Sequence, residues 1–324
     1  MARLAALDVG TNSTRLLVAD VDGGTIMAEH AREMVITRLG KGVDRTGHFD
    51  PAALARTLEV LAGYAETCRR LGVEHRRLVA TSATRDAADR QVFLDGVRDL
   101  LGVQAEVLTG QAEAAATYRG ATAGGVRGGR AGPTDASGLL DDRPTLVVDI
   151  GGGSTELIVG DGTAARAMVS LDIGCARLFE RHLHHDPPSA AEAAALRADV
   201  AGHLDRVAEV LDPAAATRVV GVAGTVTTVT AIALGLDAYD PRRIHRATLD
   251  AAEIAAAAEK LAAMTVAERA ALPVMARGRE DVIAAGALLL DELVRRFRIR
   301  QVIASETDIL DGILLGLAEG PDGG

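Results

Sequence analysis

Tryptophan is absent from the 324-residue sequence, which holds only three tyrosines and four phenylalanines. Any core must therefore be built mainly from Ala, Val and Leu, and a hydrophobic content of 48% is ample for that. Cysteine is scarce as well. Cys68 and Cys175 form no C-x-x-C pair or Cys/His cluster, which argues against a zinc site and a disulfide framework. Cys68 falls in a helical pattern and reads as a small apolar filler; Cys175, beside Gly174, reads as a packed thiol. Both fit a reduced, cytoplasmic setting. No run of about 18 uninterrupted apolar residues occurs, so no membrane span is expected, and no signal peptide is expected before the first strand. Positive charge is not in excess. The net charge of −10 argues against DNA and other nonspecific nucleic-acid binding, which needs a basic surface. A polyanion site in this chain has to be a local basic patch or be bridged by metal. The length predicts two domains.

What is present is one phrase written twice. Residues 8–18 read DVGTNSTRLLV and residues 149–159 read DIGGGSTELIV. Asp8 matches Asp149, Gly10 matches Gly151 and Ser13 matches Ser154. Each copy follows an apolar run and leads into another, which predicts a strand, a tight turn and a returning strand. Such a turn can aim several backbone N–H groups at one anion. The Asp beside it can hold a hard cation, directly or through water. Two copies in register indicate a duplicated domain, and two such turns facing across a cleft would grip a phosphate chain from both sides.

The rest of the chain reads as alternating elements. Strands are predicted at 3–9, 14–20 and 25–36, then a helix from Pro51, with Asp50 as N-cap, to Arg70. A strand at 77–81, a helix over 87–101, a strand at 104–108 and a helix over 110–122 follow. Gly, Pro, Asp and Ser crowd 124–143, which reads as a solvated loop or linker carrying Arg127 and Arg130. Strands restart near 145–149, 154–160 and 163–172. Ser189-x-x-Glu192, Asp250-x-x-Glu253 and Thr265-x-x-Glu268 resemble capping boxes. A strand at 217–222 leads to a helix over 226–234, a long helix covers 279–297, a strand 301–304, and a last helix 307–318. Strand triplets followed by helix–strand alternation, used twice, indicate an α/β fold of two similar domains. The expected boundaries are 1–123 and 144–306, with a terminal helix (307–320) packing back on the first domain.

Three further phrases carry chemistry. Gly221-Val222-Ala223-Gly224-Thr225 joins a strand to a helix, where a glycine turn and helix N-terminus favour an anion. Thr81-Ser82-Ala83-Thr84-Arg85 does the same, and Arg85 can fork onto phosphate. Asp8, Asp149 and Glu156 stand next to the turns as candidate metal-shell groups. Hydrolysis of a phosphoanhydride also needs a carboxylate to deprotonate water. Spacing alone does not choose between Glu106 and Glu113 for that task. Arg279 and Asp281 open the predicted long helix, either as an exposed ion pair or as site residues.

Together these phrases resemble the exopolyphosphatase / guanosine pentaphosphate phosphohydrolase (Ppx/GppA) family, within the actin, sugar-kinase and heat-shock ATPase superfamily. The resemblance runs through ALDVGTNSTRLLV (6–18), RLGKGVDRTGHF (38–49), ATSATRDA (80–87), LTGQAEAAATYRGA (108–121), LVVDIGGGSTELIVG (146–160), SLDIGCARL (170–178), VGVAGTVTT (220–228), IHRATL (244–249) and RGREDVIAAGALLL (277–290). It implies two ribonuclease-H-like domains with an active site in the cleft between them and a divalent cation, Mg²⁺ or Mn²⁺. It implies release of terminal phosphate from inorganic polyphosphate or from guanosine pentaphosphate (pppGpp). Family members often form homodimers. The family's catalytic glutamate matches Glu113. Asp8, Asn12, Ser13 and Arg15 match the first phosphate loop, Asp149, Gly151 and Glu156 the second, and Arg85 the TSAxR arginine. Two departures stand out. Ala112 replaces the first Glu of the family's EE pair, and the closing phrase reads ASETDILDG (304–312), with Leu310 in place of Arg and Asp311 in place of Glu. The chain also resembles the short form without the helical C-terminal domain, which implies a preference for shorter polyphosphates.

The expected reading is a metal-dependent exopolyphosphatase. Asp8, Asp149 and Glu156 hold Mg²⁺ and water. The turns Gly10-Thr11-Asn12-Ser13, Gly151-Gly152-Gly153-Ser154 and Ala223-Gly224-Thr225 donate N–H groups to phosphate. Arg15 and Arg85 neutralise the charge that builds on the transferred group, and Glu113 activates water. The alternative is pppGpp hydrolysis at the same site. A superfamily kinase and a non-catalytic polyphosphate or alarmone sensor are the readings from other classes.

Overall fold

The run Leu4–Leu7 is apolar at every position because the strand that contains it is buried on both faces. In the computed structural model, which describes residues 1–123, 143–162, 164–207 and 209–319, this strand is β1 (Ala2–Val9). It lies at the centre of a sheet with β2 (Ser13–Asp22), β3 (Thr25–Ile36), β4 (His75–Ala80) and β5 (Ala105–Val107), in the order β3-β2-β1-β4-β5. β1, β2 and β3 pair antiparallel, while β4 and β5 add in parallel. Successive side chains of a strand point to opposite faces. Accordingly Ala5, Leu7 and Val9 pack with Leu61, Tyr64, Cys68, Phe93 and Val97, whereas Leu4 and Ala6 pack with Ile309, Ile313 and Leu314.

The second half of the chain repeats this order. β6 (Thr145–Ile150), β7 (Thr155–Asp161), β8 (Ala164–Leu171), β9 (Arg218–Val222), β10 (Thr248–Asp250) and β11 (Gln301–Ala304) form a sheet ordered β10-β11-β9-β6-β7-β8. β6 takes the place of β1, β9 of β4 and β11 of β5; β10 is an added antiparallel edge strand. Both sheets thus have ribonuclease-H-like topology. The chain divides into two compact units, Met1–Asp141 with Thr307–Gly324, and Asp142–Glu306.

Local signals account for most elements. Asp50 accepts the Ala53 N–H at 2.9 Å and starts helix Pro51–Arg70. Capping boxes form at Asp250/Glu253 and Thr265/Glu268, and Ser189 and Glu192 exchange the same reciprocal bonds. Three predicted helices differ. The helix expected from 87 begins at Arg90 and runs to Leu101, because Ala87 is extended and the Ala88 N–H donates to Gly47 O, and a short unpredicted helix, Ser82–Asp86, precedes it. The helix expected from 226 already begins at Ala223. The helix expected from 279 begins at Ile283, since Gly278 turns the chain at φ 88° and Asp281 takes the Val282 N–H. Of the expected loop 124–143, all but Arg143 lies outside the described residues, Arg127 and Arg130 included. Among the described residues no helix is long and apolar enough to cross a membrane.

Helix Ile309–Ala318 packs on β1 and on helix Gly110–Thr122. The two helices meet backbone to backbone. A Cβ on Gly120 would lie 1.7 Å from Asp308 O, and one on Gly312 would lie 1.8 Å from Ala116 O. Gly312→Ala should therefore lower stability by about 3 kcal/mol, as overpacked sites do, measured by urea denaturation; a wild-type midpoint would contradict this close approach. A second prediction concerns acid stability. Hydrogen bonds from Arg3, supported by His30, hold Asp20 at a pKa of about 2 against an ordinary 3.8. A lowered carboxylate pKa stabilises the fold above the unfolded value and loses that effect as pH falls. Asp20→Asn should be less stable than the wild type at pH 7, and the difference should vanish between about pH 4 and about pH 2.

Candidate active site

In the first unit, β1 delivers Asp8 to the start of the turn at 10–13. Asp8 is buried, and its Oδ2 accepts from Arg15 Nε at 2.9 Å and Arg15 Nη2 at 2.8 Å. Its Oδ1 is buried with no hydrogen-bond partner among the described residues. Burial pushes the Asp8 carboxyl above the ordinary carboxylate range, against the opposing pull of Arg15. A carboxylate oxygen buried and left open fits a cation or a water that arrives with substrate.

The Thr81–Arg85 phrase, at the end of the neighbouring parallel strand β4, stands beside this turn. Thr11 Oγ1 and Ser82 Oγ are hydrogen-bonded at 2.8 Å, and the Thr81 N–H donates to Val9 O at 3.2 Å. Helix Gly110–Thr122, capped by Thr109, places Glu113 in its first turn. Glu113 Oε2 is 3.4 Å from Arg85 Nη1, which also donates to Leu108 O at 2.9 Å. Arg85 Nε and Nη2 make no bond among the described residues, so the edge of this guanidinium that they form is open to an anion. The structure also separates the two glutamates that spacing left open. Glu106 is exposed on edge strand β5, paired with Arg77 at 2.7 Å, while Glu113 is 7% exposed and beside Arg85.

All three nitrogens of Arg15 are engaged, Nε and Nη2 by Asp8 and Nη1 by Asp308 Oδ2. The side chain thereby joins Asp8 to the N-cap of the terminal helix. Sequence reasoning missed Asp308 and noted Asp311 only as a departure from the family phrase. Asp308 caps the terminal helix at Leu310, and buried Asp311 pairs with Arg32 at 2.7 Å. The altered closing phrase thus supplies two carboxylates with arginine partners inside this unit.

In the second unit, the Asp149 turn keeps the same backbone closure. The Gly151 N–H donates to Ser154 O at 3.0 Å, as the Gly10 N–H does to Ser13 O at 2.9 Å. The side chains diverge. Asp8 lies opposite Arg15 across β1–β2, whereas Asp149 lies opposite Glu156 across β6–β7. Two carboxylates directly opposite one another repel, which a cation relieves. Glu156 is 1% exposed, and its Oε1 accepts from Ser170 Oγ at 2.7 Å. Within neither unit do three His, Cys, Asp or Glu of the described residues gather as a group that holds a metal by itself.

The 221–225 turn is strained. Ala223 has φ 67°, a left-handed backbone that costs a residue with a Cβ of order 1 kcal/mol or more. Thr225 is buried against Gly286, so its side chain faces the interior and only its backbone can serve a ligand. Arg279, expected at a helix start, is buried and donates to Gly224 O and Thr228 Oγ1, each at 3.0 Å. It is not an exposed ion pair; it braces the turn from behind, a contact that spacing gives no means to find.

Comparison with known proteins follows the same lines. A profile described as the Ppx/GppA phosphatase family matches residues 17–320. Exopolyphosphatase 2 of Mycobacterium tuberculosis is 44% identical over 331 residues, spanning 98% of this chain and 99% of that protein. A guanosine-5'-triphosphate,3'-diphosphate pyrophosphatase of Vibrio atlanticus is 37% identical over 182 residues, 55% of this chain and 33% of that protein. Among solved structures, an exopolyphosphatase-like protein has a TM-score of 0.89 at 36% identity over 97% of both chains. The Ppx/GppA member of Aquifex aeolicus has a TM-score of 0.79 at 28% identity over 99% of both.

Removing Arg15 leaves two buried carboxylates without their shared cation, a change that costs about 3 to 5 kcal/mol. Arg15→Met should shift the urea midpoint accordingly; an unchanged midpoint would show that Asp8 and Asp308 do not depend on it.

Proposed function

The chain belongs to the Ppx/GppA phosphatase family, and from that premise we propose that it is an exopolyphosphatase, releasing terminal orthophosphate from inorganic polyphosphate by hydrolysis. The observation that carries the reading is the buried Glu113 carboxylate held beside Arg85, next to a turn whose Asp8 keeps one oxygen open. Support for the substrate comes from the full-length similarity to Exopolyphosphatase 2.

The chemistry assigned to these residues is direct displacement by water. Glu113 takes a proton from water as the water oxygen bonds to the terminal phosphorus, and the bridging P–O bond breaks to leave a chain shorter by one phosphate. Arg85, through Nε and Nη2, meets charge that grows on the equatorial oxygens in the transition state. N–H groups of the turns at 10–13, 151–154 and 223–225 hold phosphate oxygens in place. Within the first unit Asp8, with its open Oδ1, offers an oxygen to a divalent cation, Mg²⁺ or Mn²⁺, and within the second unit the opposed pair Asp149 and Glu156 offers two carboxylates of the same chemistry. Such a cation supplies charge neutralisation that a chain of net charge −10 otherwise lacks. No covalent enzyme intermediate is required.

A second reading, release of the terminal phosphate of pppGpp, is favoured by the Vibrio relative and uses the same phosphoanhydride chemistry. Side-by-side phosphate release from short polyphosphate, long polyphosphate and pppGpp separates the two. Glu113→Gln should reduce turnover at least about 10²-fold, as loss of a general base does, with an unchanged melting temperature. Near-wild-type turnover in that variant would remove Glu113 from the mechanism.

A further inference from the structure

The two turns are held by a device that neither the duplicated phrase nor the family assignment describes. In the first unit, the segment after β3 donates to the carbonyls of the turn. Thr37 N–H and Arg38 N–H reach Asn12 O at 3.1 and 3.0 Å, and Gly40 N–H reaches Thr11 O at 2.8 Å. In the second unit, the segment after β8 does the same. Cys175 N–H reaches Gly151 O at 2.9 Å, and Ala176 and Arg177 N–H reach Gly152 O at 2.9 and 3.1 Å. Arg177 adds its side chain, with Nε donating to Gly153 O at 2.8 Å.

A trans peptide is planar, with its C=O and the following N–H pointing in opposite directions. Pinning the carbonyls of Thr11 and Asn12 therefore aims the N–H groups of Asn12 and Ser13 away from the segment. Pinning those of Gly151, Gly152 and Gly153 aims Gly152, Gly153 and Ser154 likewise. The N–H groups of Thr11, Asn12, Gly152 and Gly153 make no bond among the described residues, as donors awaiting an anion would. The fit of each segment depends on a glycine. A Cβ on Gly40 would lie 2.3 Å from Thr11 Cγ2, and one on Gly174 would lie 2.6 Å from the Gly152 carbonyl.

We propose that Thr37–Gly40 and Gly174–Arg177 are equivalent positioning elements that set the direction of the N–H donors in the two phosphate turns, with Arg177 the positioning side chain of the second. The inference rests on the phosphate-binding reading of these turns. It places residues from RLGKG and DIGCARL in the machinery without any contact to substrate.

The test compares the full-length wild type with Arg177→Ala and Arg177→Lys. Turnover of polyphosphate is measured per binding site, with sites counted by calorimetric titration with orthophosphate, so that a partly unfolded preparation does not imitate the effect. Misaimed donors should lower kcat of Arg177→Ala about ten- to hundredfold, and Arg177→Lys, which keeps a donor for Gly153 O, should recover most of it. Wild-type kcat and KM per site in Arg177→Ala would overturn the proposal, as would a Lys variant no better than Ala. If the wild type itself hydrolyses no polyphosphate, the functional reading fails and the orthophosphate titration still decides. An affinity about tenfold weaker in Arg177→Ala supports positioning, and an unchanged affinity overturns it.

Discussion

A single buried carboxylate, Asp8, organises the first unit, and its two oxygens have separate tasks. Oδ2 is fastened by two nitrogens of Arg15, while Oδ1 is buried with no hydrogen-bond partner among the described residues. Burying a charge is tolerated when it is paired and hydrogen-bonded. Arg15 meets that condition on one side and passes its third nitrogen to Asp308, 293 residues away in sequence. The terminal helix is thereby fixed against β1 and β2, and the crossing of Gly120 over Asp308 depends on that placement. Local geometry and a long-range chain closure are therefore one interaction.

The duplicated phrase shows how one scaffold is made to do two things. Both copies keep the strand order, the turn closure and the pinned carbonyls. The residue opposite the Asp differs, being Arg15 in one and Glu156 in the other. The first copy therefore sets an arginine across from its Asp, while the second sets a second carboxylate there. The asymmetry between the copies lies in one cross-strand position.

Much of the fold was legible because it is encoded locally. Asp50, Asp250 with Glu253, and Thr265 with Glu268 act within four residues, and the buried strands announce themselves as apolar runs. The turns were legible because they occur twice. What was not legible depends on partners far along the chain. The bond from Arg15 to Asp308 joins residues 293 apart in sequence. Glu113 and Glu106 are equivalent by spacing; the family resemblance picks Glu113, and the physical difference between them is that Glu106 lies on an exposed sheet edge and Glu113 beside Arg85. Arg279 has meaning only once Gly224 is packed beneath it, close enough that a Cβ there would meet the guanidinium at 2.1 Å.

The measurement that tests the account most directly is ³¹P NMR of a long polyphosphate incubated with the protein and Mg²⁺. Attack at the terminal phosphorus predicts a growing orthophosphate resonance while the number of chain ends stays constant. Chain ends that multiply without orthophosphate, or a spectrum that does not change, would contradict it.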